Sequence, residues 1–306
     1  MSANTYILCP GQGAQAVGMG RDFAEKFPEA KAVYDKANAI LGFDLGDLCF
    51  NGPDERLNQT DISQPAIYVS SIACHAAAKA AGKLGDGPFA YAGLSLGEYT
   101  ALHLAGVFSF EDGVKLVAAR GKAMQAAAVS VPSSMVAVMG GDEASITKLC
   151  EEQAQGDVLV PANFNAPGQI VVSGGKAACE RFAAAATAAG FRSVPLVVAG
   201  AFHSPIMQPG ADVMKGELAK VDFKAPSAPV YSNVTAALHT DPATIKSLLV
   251  DQIVKPVRWE QTIAQVANLP DATFIELAPG KVLTGLLKKQ NRRAPVTTLN
   301  EAAALS

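Results

Sequence analysis

The sequence predicts an α/β protein whose main domain, a parallel sheet formed by residues 1–129 and 201–306, carries an inserted ferredoxin-like subdomain over residues 130–200. Three observations lead there. Its 306 residues exceed the roughly 100–200 of an ordinary domain and suit one large unit carrying a smaller one. Short apolar runs that end in glycine loops alternate with longer stretches of helical period, as a parallel sheet covered by helices requires. Between about 130 and 200 that alternation gives way to β-α-β-β-α-β, the unit of ferredoxin-like folds.

The first strand, residues 6–9, leaves the sheet through Pro10-Gly11-Gln12-Gly13. Phe23, Phe27, Val33, Ala37 and Ile40 then recur near helical spacing with breaks at Pro28 and Gly42, and residues 64–81 form an alanine-rich helix. A strand at 89–92 runs into Gly93-Leu94-Ser95-Leu96-Gly97, followed by helices near 97–105 and 110–128. Within the insert, 135–139 is a strand, 142–153 a helix capped by Asp142, 158–164 and 169–173 a hairpin, 177–189 a helix and 191–198 a strand. Residues 230–233 and 274–277 return as strands that complete the parallel sheet.

A formal charge of −3 and an isoelectric point near 5.8 argue against a nucleic-acid partner, whose phosphates need a basic face. The one basic run, Lys288, Lys289, Arg292 and Arg293, reads as a solvated helix face, with docking as the lesser alternative. Cys9, Cys49, Cys74, Cys150 and Cys179 are odd in number and contain no C-x-x-C pair, so neither a disulfide framework nor a metal site is signalled. The first residues lack the basic and apolar regions of a signal peptide, and no run approaches the ~20 apolar residues of a membrane span. A cytoplasmic protein is expected, and a monomer, since nothing in the pattern demands a partner subunit.

Chemistry concentrates at Gly93-Leu94-Ser95-Leu96-Gly97, a G-x-S-x-G pentapeptide set between an apolar strand and a helix, the context of a nucleophile elbow. There the Ser95 hydroxyl projects from a sharp turn, and the Leu96 N–H at the helix start faces a developing oxyanion. A serine hydroxyl needs a base. Of the four histidines, His75 and His103 sit in helical patterns and His239 in a polar turn, each read as packing or surface. His203, in Gly200-Ala201-Phe202-His203-Ser204-Pro205, lies on a loop leaving a strand, where catalytic groups gather, although hydrogen bonding alone also accounts for a loop histidine. An α/β-hydrolase runs Ser, acid, His with the histidine late in the chain; here a hundred or so residues follow His203 and no acid stands out. Gly11-Gln12-Gly13-Ala14-Gln15-Ala16 fits a dinucleotide fingerprint only formally, because the segment around Asp35 reads as helix where a second strand is needed. Arg120, within an otherwise apolar helical stretch, must meet an anion or snorkel to the surface.

Six ordered segments then share a pattern: Pro10-Gly11-Gln12-Gly13 with Gln15; the elbow continuing as Glu98-Tyr99; Arg120-Gly121 with Met124-Gln125; Asn163-Phe164-Asn165-Ala166-Pro167-Gly168-Gln169; Ala201-Phe202-His203; and Gln252 with Pro256-Val257. On these the chain resembles the malonyl-CoA:acyl carrier protein transacylases of fatty-acid synthesis and the acyltransferase domains of polyketide synthases, over nearly its whole length. The resemblance implies a hydrolase-like α/β domain with a ferredoxin-like insert, an acylated Ser95, His203 as base and then acid, and an oxyanion hole of the Gln12 and Leu96 N–H groups. It also implies that Arg120 binds the malonyl carboxylate and that Gln252 orients His203 through a carbonyl. Malonyl-CoA and acyl carrier protein are the implied substrates, with no cofactor and no metal. One departure is Leu94, where the family usually has histidine; its side chain is expected to point away from the nucleophile. The Ala201-Phe202-His203 triplet resembles the form that selects malonyl over methylmalonyl groups. Competing readings are a polyketide-pathway acyltransferase, a serine thioesterase or acyl hydrolase with the same elbow, and a scaffold in which Ser95 and His203 are bystanders.

Overall fold

The computed structural model describes residues 4–85 and 87–306. The chain runs β1 (Thr5–Cys9), α1 (Arg21–Lys26), α2 (Pro28–Leu41), α3 (Leu45–Asn51), α4 (Asp54–Leu57), α5 (Thr60–Ala80), β2 (Phe89–Gly93), α6 (Leu96–Leu104) and α7 (Phe110–Ser130). It continues as β3 (Ser133–Met139), α8 (Glu143–Ala154), β4 (Leu159–Ala166), β5 (Gln169–Gly175), α9 (Lys176–Ala188) and β6 (Arg192–Pro195). It ends as α10 (Gln208–Ala219), α11 (Pro242–Val254), α12 (Trp259–Val266), β7 (Thr273–Leu277), α13 (Val282–Gln290) and β8 (Val296–Leu299).

Two sheets organise these elements. The first has the order β2-β1-β7-β8 with every neighbouring pair parallel. Alternation along β1 divides its core: Ile7 and Cys9 pack into one large cluster with α2, α5 and α7, while Tyr6 and Leu8 face a second cluster with α12 and α13. The second sheet, order β4-β5-β3-β6, is antiparallel throughout, which is the arrangement a β-α-β-β-α-β unit folds into. Its helices α8 and α9 close a third, separate core around Ile146, Phe164, Val172 and Phe182. No described helix is long and apolar enough to cross a membrane.

The structure corrects several element expectations. Residues 230–233 are not a strand: Val230 makes a single parallel bridge to Tyr91, and the chain then turns back so that Ser232 N–H bonds Ala237 and His239 N–H bonds Val230. The last strand of the insert stops at Pro195; Leu196 N–H makes one further bond to the Met135 carbonyl at 2.9 Å, and residues 196–199 border the cleft described below. Helix α5 begins at Thr60, a turn before the expected start, despite Pro65 inside it. Tertiary contact overrides the local signal there, since Thr60 N–H bonds the Gln125 side chain of α7 at 3.2 Å. Strand β8 and the short helices α3 and α4 had no expectation.

Candidate active site

The pentapeptide forms a strand-to-helix elbow at the C-terminal end of β2, beside that of β1, on the side of the sheet where open α/β folds bind ligands. Ser95 holds φ 53° and ψ −104°, a strained conformation for a non-glycine residue. The flanking glycines are there for space: a Cβ at Gly97 would lie 2.1 Å from the Cys9 carbonyl oxygen, and one at Gly93 would lie 2.0 Å from that of Gly97. Asn233 clamps the turn from outside, accepting from Ser95 N–H at 2.6 Å and donating to the Gly93 carbonyl at 2.7 Å.

His203 reaches the elbow from the loop after β6. Its Nε2 lies 2.9 Å from Ser95 Oγ, and its Nδ1 lies 2.6 Å from the main-chain carbonyl of Gln252 in α11. A carbonyl can only accept, so Nδ1 carries the proton and Nε2 offers its lone pair to the serine hydroxyl. Burial and then the Arg120 charge push the His203 pKa down to about 4, against a smaller upward effect of the Gln252 carbonyl. The imidazole is therefore neutral at physiological pH.

Arg120 on α7 is buried rather than snorkelling. Its Nη1 donates to Gln64 Oε1 at 2.7 Å, and its Nη2 donates to Ser95 Oγ at 3.0 Å and to Gln252 Oε1 at 2.9 Å. Its guanidinium lies 5.5 Å from the Tyr99 ring centroid. Burial pulls the guanidinium pKa down, and Tyr99 and Glu98 push it back up. Gln252 also donates from Nε2 to the Ser95 carbonyl at 2.9 Å and to Glu98 Oε2 at 2.7 Å.

These groups open into a cleft of about 710 Å³ between the two sheets. Gln12, Ser95, Arg120, Met124, Phe202 and His203 line it from the main domain, and Met135, Asn163, Asn165, Gln169 and Val171 from the insert. Among the described residues, the N–H groups of Gln12 and Leu96 make no hydrogen bond. The loop bearing Gln12 is pinned by Gln15, which accepts from Gly13 N–H and donates to Asn58, both at 2.8 Å. Leu94 borders the same cleft and packs into the cluster beside α12 and α13. Lys289 of the basic run bonds Gln169 at the cleft edge, while Arg292 and Arg293 are exposed.

Sequence reasoning missed three contributors. Glu98 had a signal, a carboxylate inside an apolar helix, of the same kind that flagged Arg120. Asn233 and Gln64 had none, because polar residues at the expected end of a strand and start of a helix are unremarkable until the fold converges them. His239, read as packing or surface, is buried and bonded to Glu98 at 2.6 Å. The arrangement can activate a serine with a neutral histidine and hold an anion within hydrogen-bond reach of it.

The acyl transferase domain model matches residues 5–303. The malonyl CoA-acyl carrier protein transacylase of Salmonella typhimurium is 45% identical over 301 residues, covering 98% of this chain and 97% of that protein. The crystal structure of an acyl carrier protein S-malonyltransferase from Vibrio cholerae aligns with a TM-score of 0.94 and 41% identity over 99% of both chains. A malonyl-transacylase in complex with a type II PKS acyl-carrier protein aligns with a TM-score of 0.94 and 38% identity over 99% of this chain and 98% of that one. With an elbow, a histidine and a buried arginine converging on one cleft, and with relatives matched end to end, this chain belongs to the acyl transferase domain family, in the branch of the malonyl CoA-acyl carrier protein transacylases.

Proposed function

We propose that this protein transfers a malonyl group from malonyl-CoA to the phosphopantetheine thiol of acyl carrier protein, through a malonyl-serine intermediate, supplying extender units for fatty-acid synthesis. The observation that carries the reading is Arg120 Nη2 lying 3.0 Å from the Ser95 hydroxyl inside a buried network. A malonyl ester on Ser95 carries its free carboxylate two bonds beyond the ester carbonyl, within reach of that guanidinium, and a charge-assisted bond there favours malonyl over acetyl donors.

In the first half-reaction Ser95 Oγ attacks the thioester carbonyl as His203 Nε2 takes its proton. The N–H groups of Gln12 and Leu96 receive the oxyanion. Collapse breaks the C–S bond, and the His203 proton leaves with the coenzyme A thiol. In the second half-reaction His203 takes the carrier thiol proton, the sulfur attacks the malonyl ester, and the proton returns to Ser95 Oγ. The exchange is redox-neutral, with His203 moving the proton and Arg120 holding the carboxylate, so the reading calls for no cofactor. A cytoplasmic site fits a reaction between coenzyme A and a carrier protein.

Intact-protein mass spectrometry tests the reading. Wild-type protein mixed with malonyl-CoA gains one malonyl group, Ser95→Ala gains none, and adding holo-acyl carrier protein discharges the adduct onto the carrier. Equally fast discharge without carrier would make the protein a hydrolase, and the absence of any adduct would end the reading.

A further inference from the structure

The proposed mechanism leaves one buried carboxyl group without a role. Glu98, at the third position of α6, is fully buried and accepts three hydrogen bonds: from Gln252 Nε2 at 2.7 Å, from Asn233 N–H at 3.1 Å and from His239 Nε2 at 2.6 Å. Its neighbours divide the site between them. Asn233 clamps the backbone of the elbow, and Gln252 contacts His203, Ser95 and Arg120.

The chemistry of the carboxylate fixes the orientation of the amide. Asn233 N–H can only donate and meets the same Glu98 Oε2, so that oxygen accepts; the Gln252 NH₂ must therefore face it and the Ser95 carbonyl, and Oε1 is left facing Arg120. Were the amide turned over, an NH₂ would meet the guanidinium, and Arg120 would lose one of the two side-chain oxygens, Gln64 Oε1 and Gln252 Oε1, that aim it at Ser95. We propose that Glu98, held by His239, is a positioning residue that sets the Gln252 amide, and through it Arg120, and so determines the preference for acyl groups bearing a free carboxylate. This rests on Arg120 as the group that takes the malonyl carboxylate.

The experiment measures second-order acylation of Ser95 by malonyl-CoA and by acetyl-CoA, together with labelling of Ser95 by a neutral fluorophosphonate. It is run on wild type, Glu98→Leu, Glu98→Gln and Arg120→Ala. Glu98→Leu is expected to lose malonyl preference by about tenfold or more, the scale of a lost hydrogen bond to a charged group, with phosphonate labelling changed by less than about threefold. Glu98→Gln, which keeps one acceptor oxygen for the Gln252 NH₂, should recover most of the preference. An unchanged preference in Glu98→Leu overturns the proposal, as does an equal fall in acylation by both donors and in phosphonate labelling, which is what a purely structural role gives. If Glu98→Leu does not fold, His239→Ala, which releases Oε1 of Glu98, replaces it. A fall in malonyl preference with phosphonate labelling kept supports the proposal, and an unchanged preference overturns it. Wild-type preference in Arg120→Ala would show instead that the carboxylate reading itself is wrong.

Discussion

The two sheets of this molecule handle buried polarity in opposite ways. Around the elbow of the parallel sheet, Ser95, Glu98, Arg120, His203, Asn233, His239 and Gln252 are all buried and linked by hydrogen bonds into one network. In the insert, the buried polar side chains among the described residues are Asn163 and Ser173, and the core between its sheet and helices is otherwise apolar. A polar network in low dielectric has directional partners and fixes atoms in place, whereas an apolar core fixes only shape. The main domain thus carries the polar network, and the insert supplies a wall for the cleft.

Removing members of the network should break this division most severely. Ser95→Ala should lower acylation on the order of 10³-fold or more, because base and oxyanion donors then have no nucleophile to serve, and loss of the adduct by mass spectrometry checks it. Arg120→Ala should lower acylation by malonyl-CoA by roughly 10- to 100-fold, the worth of a hydrogen bond to a charged group, and leave acetyl-CoA far less affected. Stopped-flow measurement with the two donors separates a lost carboxylate contact from a damaged nucleophile.

The insert should respond through stability instead. Phe182 is fully buried in the third cluster, so Phe182→Ala should cost about 3–5 kcal/mol of local stability. Calorimetry should show an earlier transition, and a small fluorophosphonate should still label Ser95 below it. Simultaneous loss of labelling and of the insert would mean that the two regions do not divide the work in this way.

The network also predicts a pH profile. A histidine with its pKa pushed down to about 4 stays neutral, and therefore basic, far below the ordinary range near 6.5. Phosphonate labelling of Ser95 should stay level as pH falls from about 8 to about 5 and drop only as His203 gains its proton near 4. Since the Arg120 charge is the second cause of the depression, Arg120→Ala should move that limb upward part of the way, burial remaining as the first. An acid limb near 6.5 in the wild-type protein would contradict the buried geometry.

The same contrast explains how much was legible in the sequence. The elbow and the insert were, because each is local: G-x-S-x-G needs only a strand before it and a helix after it, and β-α-β-β-α-β is written in consecutive segments. Arg120 stood out because a cation in an apolar helix is anomalous on its face. Residues 230–233 misled, since a segment opening with Val230 and Tyr231 has strand character whether or not the next residues leave the sheet. The partners of Ser95, Glu98 and Arg120 were the least legible. Gln64, Asn233 and His239 lie 56, 138 and 141 residues from the groups they hold, so nothing in their own neighbourhoods marks them.

Phe202 gives the smallest predicted effect and the sharpest test of shape against polarity. It sits beside His203 on the main-domain side of the cleft, almost fully buried, and offers no polar atom to any substrate. Any influence it has on acyl choice can come only from the volume it occupies in the cleft. Excluding a single methyl group in this way is worth about 1–3 kcal/mol, so the wild-type protein should acylate with methylmalonyl-CoA roughly 10- to 100-fold more slowly than with malonyl-CoA. Phe202→Ala should narrow that gap by raising the methylmalonyl rate, and the malonyl rate should fall only modestly because Arg120 and His203 keep their partners. If wild type already turned over both donors equally, steric selection by Phe202 would be excluded, and the choice of acyl group would rest on the Arg120 network alone.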